Sequence, residues 1–466
     1  MSELLQHFET TNAFPATKGQ AHFFYVFERF WNSSKPNCCL LLNGYAGTGK
    51  TTVMATVAAY VRSFQNTELV QLAPTGKAAK VLRSYTGINA YTIHRYIYML
   101  KSEGGERQFK RKENKHKNAL FIVDEASMIS GDRTYFSPHG QSLLHDLIDY
   151  VKEGDNCKIL FVGDQAQLPP VHSNESPALD AKFLENEFDL LIAKCSFDEV
   201  LRQDVDSGVL FNATNIRYRI TGVSEDVKLF ADQKNFYFID PYSFLDHYED
   251  ALSSFGENEV VVLTKSNKSA VLFNQQIRSR VLGLDEIING GDKLMVVKNN
   301  YKYGVKEANI DFIANGESIM VNRIVRTEEK YGMLFADADI HLENFEIDLQ
   351  VKLNLSALNS NMPAVDPAEM EKLYDVIDLE LLDEFPYKKD RKEQLRSNEY
   401  LNALQVKYAY AITGHKSQGG QWHSVFIDHG YVTEETIDDQ WYRWLYTAIT
   451  RSKTSVFLLN PASILL

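Results

Sequence analysis

Residues Cys38 to Phe64 hold the pattern that most limits how this chain can fold. A short apolar run, Cys38-Cys39-Leu40-Leu41-Leu42, meets a glycine-rich turn, and apolar positions then recur at Met54, Val57, Ala58, Val61 and Phe64. The change from a continuous run to helical spacing reads strand, loop, helix. The turn, Gly44-Tyr45-Ala46-Gly47-Thr48-Gly49-Lys50-Thr51, fits G-x-x-x-x-G-K-[ST] and stands where that motif must stand, after a strand and opening a helix. Its glycines let backbone N–H groups converge on phosphate oxygens at a helix N-terminus. Lys50 supplies charge to the β/γ-phosphates, and Thr51 holds Mg²⁺. Gly44, Ala46, Gly47, Thr48, Gly49, Lys50, Thr51 and Thr52 are therefore the expected nucleotide-binding residues. A plain glycine turn would account for neither Lys50 nor Thr51.

A second apolar run, Leu120-Phe121-Ile122-Val123, ends in two adjacent carboxylates, Asp124 and Glu125. Paired charges have no structural reason to stand at the end of a buried strand. Beside a P-loop they fill two needs of ATP hydrolysis: Asp124 holds the Mg²⁺ shell, and Glu125 orients or deprotonates the attacking water. ATP and Mg²⁺ are the expected cofactors.

At 466 residues the chain exceeds what one hydrophobic core organises, so two to four domains are expected. Apolar residues at 44% and charged residues at 24% match ordinary globular proteins, which excludes global disorder. The apolar stretches are far shorter than the ~18–20 residues of a membrane span, and the opening MSELLQHFET lacks the pattern of a secretory signal. The expectation is a cytoplasmic protein with no membrane partner. Cys38, Cys39, Cys157 and Cys195 are too few and too irregular for a disulfide framework or a four-ligand zinc site.

The net charge of −13 argues at first against a polyanionic partner. Charge is unevenly spread, however. Lys101–Lys117 carries seven Lys or Arg against three Glu, while Val365–Pro386 carries eight acids and one lysine. A chain so divided can be acidic overall and still present a basic groove.

Further apolar runs at Leu69–Ala73, Ile159–Val162, Val260–Thr264 and Val425–Ile427 alternate with helical patterns at Lys77–Ser84, Ser142–Val151 and Lys268–Val281. That alternation predicts an α/β fold with parallel sheets covered by helices. Two units are expected, because Pro170 to Val260 shows little strand signal. From Gly291 to about Leu355 the texture changes to short alternating segments, which predict a small β-barrel or sheet inserted into the second unit. The acidic Val365–Pro386 stretch reads as helical, its charge a solvated face.

Several further motifs follow in order: Ala73-Pro74-Thr75-Gly76-Lys77-Ala78-Ala79-Lys80, Thr92-Ile93-His94, Gly163-Asp164-Gln165-Ala166-Gln167-Leu168-Pro169-Pro170, Val200-Leu201-Arg202-Gln203, His415-Lys416-Ser417-Gln418-Gly419 and Tyr446-Thr447-Ala448-Ile449-Thr450-Arg451. With the P-loop and Asp124-Glu125-Ala126-Ser127, they resemble motifs Ia, Ib, III, IV, V and VI of the superfamily 1 helicases, in the RecD/Dda-like B subclass, over nearly the whole chain. The resemblance implies two RecA-like P-loop lobes with parallel sheets, a small β-hairpin insertion and an SH3-like β-barrel insertion. The first lobe (1A) would take 1–195, with a pin-like insertion (1B) at about 95–118. The second (2A) would take 196–285 and 402–466, and the barrel (2B) with its acidic appendage 286–401. That appendage matches nothing in the family.

The resemblance also implies roles. Lys50, Asp124, Glu125, Gln167, Arg202 and Arg451 form the catalytic set, Gln167 sensing the γ-phosphate and the two arginines reaching across the cleft as fingers. Gln20 reads adenine. Thr75, Lys77, Thr92, His94, His415, Lys416 and Ser417 grip a polynucleotide backbone without reading sequence. Phe109 sits on a pin that splits the duplex. By context alone, Gln20 could be a surface glutamine, Arg202 a salt-bridged helix residue, and Phe109 part of an ordinary surface hairpin. The implied protein is a monomeric ATP-dependent DNA helicase moving 5′ to 3′, acting in DNA replication, recombination or repair. Its partners would be single-stranded DNA, a duplex fork, and single-strand-binding or replisome proteins. The rival readings are a translocase or RNA-directed motor that strips proteins without unwinding, and a nucleotide-dependent binding subunit that has lost hydrolysis.

Overall fold

A computed structural model describes residues 2–12, 14–103, 106–132, 141–171, 173–200, 207–305 and 312–466, with 100–103 and 106–109 described by their backbone alone. Among these, the strands run β1 (Cys38–Gly44), β2 (Glu68–Ala73), β3 (Ala90–Thr92), β4 (Tyr98–Glu103), β5 (Glu106–Arg111), β6 (Ala119–Val123), β7 (Lys158–Gly163) and β8 (Leu191–Phe197). They continue with β9 (Phe236–Ile239), β10 (Val260–Thr264), β11 (Lys293–Val296), β12 (Ser318–Lys330), β13 (Met333–Leu342), β14 (Ile347–Asn354), β15 (Leu404–Tyr408), β16 (Ala411–Thr413), β17 (Trp422–Asp428) and β18 (Ser452–Leu459).

Two parallel sheets result, in the orders β3-β2-β6-β7-β1-β8 and β16-β10-β17-β18-β9. The central strands β1, β6, β7 and β10 are buried along their whole length, which is why they read as unbroken apolar runs. Each sheet has helices packed against it, giving the two RecA-like lobes. The interval Pro170–Val260 nevertheless holds two strands, both at sheet edges. β8 is an edge strand half open to solvent, with Lys194 and Ser196 in its sequence, and β9 is a four-residue edge strand of the second sheet. β8 also runs to Phe197, so the first unit extends past the expected limit at 195.

The five strands β11 to β15 close into a barrel. Its last strand, β15, lies beyond the expected 286–401 limit. The cause is in the pairing: β14 and β15 run parallel, and parallel neighbours need a crossover rather than a turn. The acidic stretch is that crossover. Its Pro367–Glu380 helix buries Leu373 and Ile377 with Met333, Phe335, Leu395 and Tyr400, and the Lys388–Ser397 helix follows it. Leu379 and Leu382 of the same stretch stay exposed.

The helix expected over Lys268–Val281 is α-helical from Asn267 to Gln276 and ends in a π turn over Ile277–Val281. β4 and β5 pair antiparallel from Tyr98 opposite Arg111 to Glu103 opposite Glu106. Phe109 stands opposite Leu100 in that ladder, and its side chain lies outside the described residues. Among the described residues no helix is long and apolar enough to cross a membrane, and the four cysteines are free thiols.

Candidate nucleotide and polynucleotide sites

The P-loop leaves the C-terminal end of β1 and turns through left-handed Gly47 (φ 77°) and Gly49 (φ 81°), conformations that a Cβ would strain. Lys50 opens the next helix and folds its ammonium back onto the carbonyls of Gly44 and Tyr45, while the Thr48 hydroxyl donates to Tyr45 O at 2.8 Å. Thr51 and Thr52 lie half-buried in the first turn. Gln20 is fully buried, which excludes the surface alternative. Its Nε2 donates to Thr48 O at 3.2 Å, and its Oε1 accepts from Thr17 N at 3.1 Å. One side chain thus closes a helix cap and braces the P-loop.

Asp124 follows β6, two strands from the P-loop strand. Burial, and then the neighbouring Glu125 carboxylate, push its carboxyl up to about 6, with Lys50 pulling the other way. Glu125 takes a left-handed backbone (φ 51°) seldom adopted by glutamate, and its N–H donates to Asp124 Oδ1 at 2.9 Å. Across the cleft, the Arg451 guanidinium lies 3.6 Å from Glu125 Oε1 and donates from Nε to Thr447 O at 3.1 Å. Arg202 lies outside the described residues.

The turn after β7 joins the lobes. Gln165 N donates to Asn43 Oδ1 at 3.0 Å, Leu168 N to Thr447 Oγ1 at 2.9 Å, and Gln418 Nε2 to Leu168 O at 2.7 Å. The buried Tyr446 hydroxyl donates to Asp164 Oδ2 at 2.8 Å and accepts from the P-loop N–H of Ala46 at 3.0 Å. Burial holds the Asp164 carboxyl above its ordinary range. Gln167 is buried with its Oε1 unpartnered, an orphaned acceptor in this junction. The Asp124 carboxylate, the orphaned amide oxygen of Gln167 and the Thr51 hydroxyl at a helix start form a donor set that fits a divalent cation with its nucleotide.

Thr75 and Thr92 cap the Gly76–Thr86 and Ile93–Ile97 helices, accepting from Ala78 N and Arg95 N. Each hydroxyl keeps its proton free to donate to a phosphate. Gly419 (φ 73°) sits directly on this turn, where a Cβ would come within 2.7 Å of Ala78 Cβ and 2.9 Å of Thr75 Oγ1, so Ia and V meet at one place. Other expected contacts are used differently. Lys77 is half-buried with its ammonium 3.7 Å over the Trp422 ring, and burial together with Lys293 lowers it to about 7. His94 is held neutral by burial, its value lowered to about 4. Ser417 is fully buried and donates to Gly414 O at 2.7 Å, so it braces the turn rather than facing a ligand. His415 is exposed, and Lys416 is half-buried and lowered to about 8 by desolvation.

A family model for an AAA domain matches residues 31–203, and one for a UvrD-like helicase C-terminal domain matches 408–459. The chain is 26% identical to the ATP-dependent DNA helicase dda of Enterobacteria phage T4, over 67% of this chain and 68% of the relative. It is 25% identical to the ATP-dependent RecD2 DNA helicase of Deinococcus radiodurans, over 91% of this chain and 47% of the relative. An uncharacterized protein of Acanthamoeba polyphaga mimivirus is 25% identical over 88% of this chain and 93% of the relative. Over most of its length the chain is therefore similar to DNA helicases of the dda and RecD2 kind.

Sequence reasoning placed Tyr446 inside a motif without giving it a task, and it missed Trp422, Arg217 and Arg443 altogether. Arg443 donates to Gln165 O across the lobe junction, and Arg217 faces the P-loop at Tyr45. Each role comes from a contact between segments far apart in the chain, for which no local pattern exists.

Proposed function

We propose that the chain is an ATP-dependent DNA helicase that steps 5′ to 3′ along single-stranded DNA, its lobes closing over nucleotide and gripping the strand in turn. One observation carries this reading. The turn after β7 is bonded at once to the P-loop strand through Asn43, to the Asp439–Ile449 helix through Thr447, and to the polynucleotide motif through Gln418. Movement at the nucleotide is therefore passed to the segment that rests on Thr75 and Ala78.

In this reading Lys50 neutralises the β/γ-phosphates, Glu125 orients water, Gln167 senses the γ-phosphate by donating from its Nε2, and Arg451 and Arg202 complete the charge from the second lobe. Thr51 and Asp124 would hold Mg²⁺, which supplies positive charge to the phosphates when bound. Gln20 reads adenine with the amide that now braces Thr48. Thr75, Thr92, His415 and Lys416 grip the strand. The closed barrel is the SH3-like module, β4–β5 is the pin, and Phe109 meets the first base pair of the fork, where aromatic stacking is worth ~1–3 kcal/mol per base. Single-strand-binding or replisome proteins are the partners, and the chain works as a monomer.

The decisive measurement is single-turnover unwinding of duplexes bearing one tail. A 5′-tailed substrate is opened, a 3′-tailed one is not, and Lys50→Ala opens neither. Opening of the 3′-tailed duplex alone reverses the polarity. Protein displacement from single strands without any unwinding replaces the helicase with a translocase. The backbone grip makes a separate expectation. ATP turnover rises sharply with single-stranded DNA of any sequence, and log affinity falls against log salt with a slope of about −0.7 per phosphate contact. A flat salt response contradicts the basic groove.

A further inference from the structure

Tyr45 is the second residue of the P-loop, and its N–H donates to Phe197 O at 3.3 Å, at the end of β8. Over its half-buried ring lies the guanidinium of Arg217, with the central carbon 4.4 Å from the ring centroid. Arg217 comes from the Gly208–Ile220 helix of the second lobe and is only 8% exposed. Its Nη1 donates to Asp198 O at 3.3 Å, at the segment leading into Leu201-Arg202-Gln203. Among the described residues no carboxylate pairs with it within 4.0 Å. A guanidinium taken out of water in this way needs compensation. It finds it in one carbonyl and in the faces of Tyr45 and, at 5.2 Å, Tyr218. A buried cation with no ion-pair partner among the described residues is a poor way to build a core, since an apolar side chain of similar size packs there without the desolvation cost. Its position against the phosphate-binding loop gives it another use.

We propose that Arg217 is a positioning residue for ATP hydrolysis. It holds Tyr45, and through it the P-loop, from the second lobe, so that nucleotide affinity depends on the approach of the two lobes. Tyr446 holds the adjacent residue, Ala46, through its backbone N–H, so the loop is gripped from the second lobe at two consecutive positions. Arg217 touches neither phosphate nor water in this account. It sets where the loop stands before substrate arrives, and its loss therefore appears in KM rather than in kcat. The inference rests on ATP hydrolysis alone and is independent of which polynucleotide the motor follows.

The test is steady-state ATP hydrolysis with saturating single-stranded DNA on a small variant set, with a melting curve for each. Arg217→Ala raises the KM for ATP about tenfold, or ~1.4 kcal/mol, with a much smaller change in kcat. Tyr45→Leu, which removes the ring face, raises KM about as much, and Tyr45→Phe, which keeps it, raises KM far less. The double variant Arg217→Ala with Tyr45→Leu is no worse than either single one, because both remove one contact. Additive effects, or a fall in kcat with KM unmoved, overturn the proposal. So does a lowered melting temperature accompanied by equal loss in every parameter. Should Arg217→Ala not fold, the comparison of Tyr45→Leu with Tyr45→Phe decides alone: equal KM values for the two refute the ring contact.

Discussion

Asp124→Asn stops ATP hydrolysis and makes the protein more stable. The activity loss is on the order of 10³-fold, the scale of removing one electrostatic component of phosphoryl transfer. The gain in stability follows from the same environment. In the fold, burial and the adjacent Glu125 raise the Asp124 carboxyl from 3.8 to about 6. A group whose folded value is raised binds its proton more tightly in the native than in the unfolded state. Its contribution therefore falls as pH rises from about 4 to about 6, and above that it is a constant penalty. Asparagine is neutral at every pH, has nearly the same shape, and keeps an oxygen to accept the Glu125 N–H. Thermal melts in metal-free buffer at pH 5 and pH 8 check the sign: the variant's advantage grows with pH, and a lower melting temperature than the parent at pH 8 refutes the assignment. The parent tolerates the penalty because only an ionised, water-poor carboxylate can serve a cation at the nucleotide.

The parts of the molecule legible in the sequence are those whose cause is local. The P-loop was readable because one uninterrupted segment contains the strand, the left-handed glycines and the helix start. β1, β6, β7 and β10 were readable because burial on both faces demands unbroken apolar runs. β8 was hidden by its place at a sheet edge, where several residues face water and no run is required, and β9 by its length, since its apolar run Phe236–Ile239 is only four residues long. The barrel limit was misplaced for a topological reason: β15 pairs parallel to β14 after two helices, so the closing strand stands far along the chain from its neighbours. Among site residues, Gln20 and Glu125 sit against the loop and the arginine that their roles require. Ser417 and Lys77 show the limit of carrying roles over by motif. One is buried under its own turn and the other is packed on Trp422, so in this arrangement of the lobes both serve the junction itself.

Loss of Asp292 strips the barrel attachment of its main buried acceptor. Asp292 stands where the chain enters the barrel, fully buried. It accepts from Arg278 Nε at 2.7 Å and Nη2 at 2.8 Å, from Asn289 N at 2.7 Å and from the Tyr410 hydroxyl at 3.2 Å. Arg278 is delivered by the π turn that ends the Asn267–Gln276 helix; it also donates to Glu286 O and lies 4.3 Å over the ring of Tyr408. The chain leaves the barrel through Tyr408 and Tyr410, so one ion pair ties the outgoing and returning strands to the second lobe. Asp292→Ala leaves a guanidinium buried with its main acceptor gone, and costs ~3–5 kcal/mol. Chemical denaturation measures that loss. The double variant Asp292→Leu with Arg278→Met is the informative control: with no charge left to desolvate, it recovers much of the loss, although it has lost the same hydrogen bonds. A loss below ~1 kcal/mol in Asp292→Ala, or a double variant as unstable as the single one, shows that the pair is not what fastens the barrel. ATP hydrolysis measured well below the transition distinguishes this role from a catalytic one, because the ion pair lies in the barrel attachment and shares no hydrogen bond with the P-loop, Asp124 or Arg451.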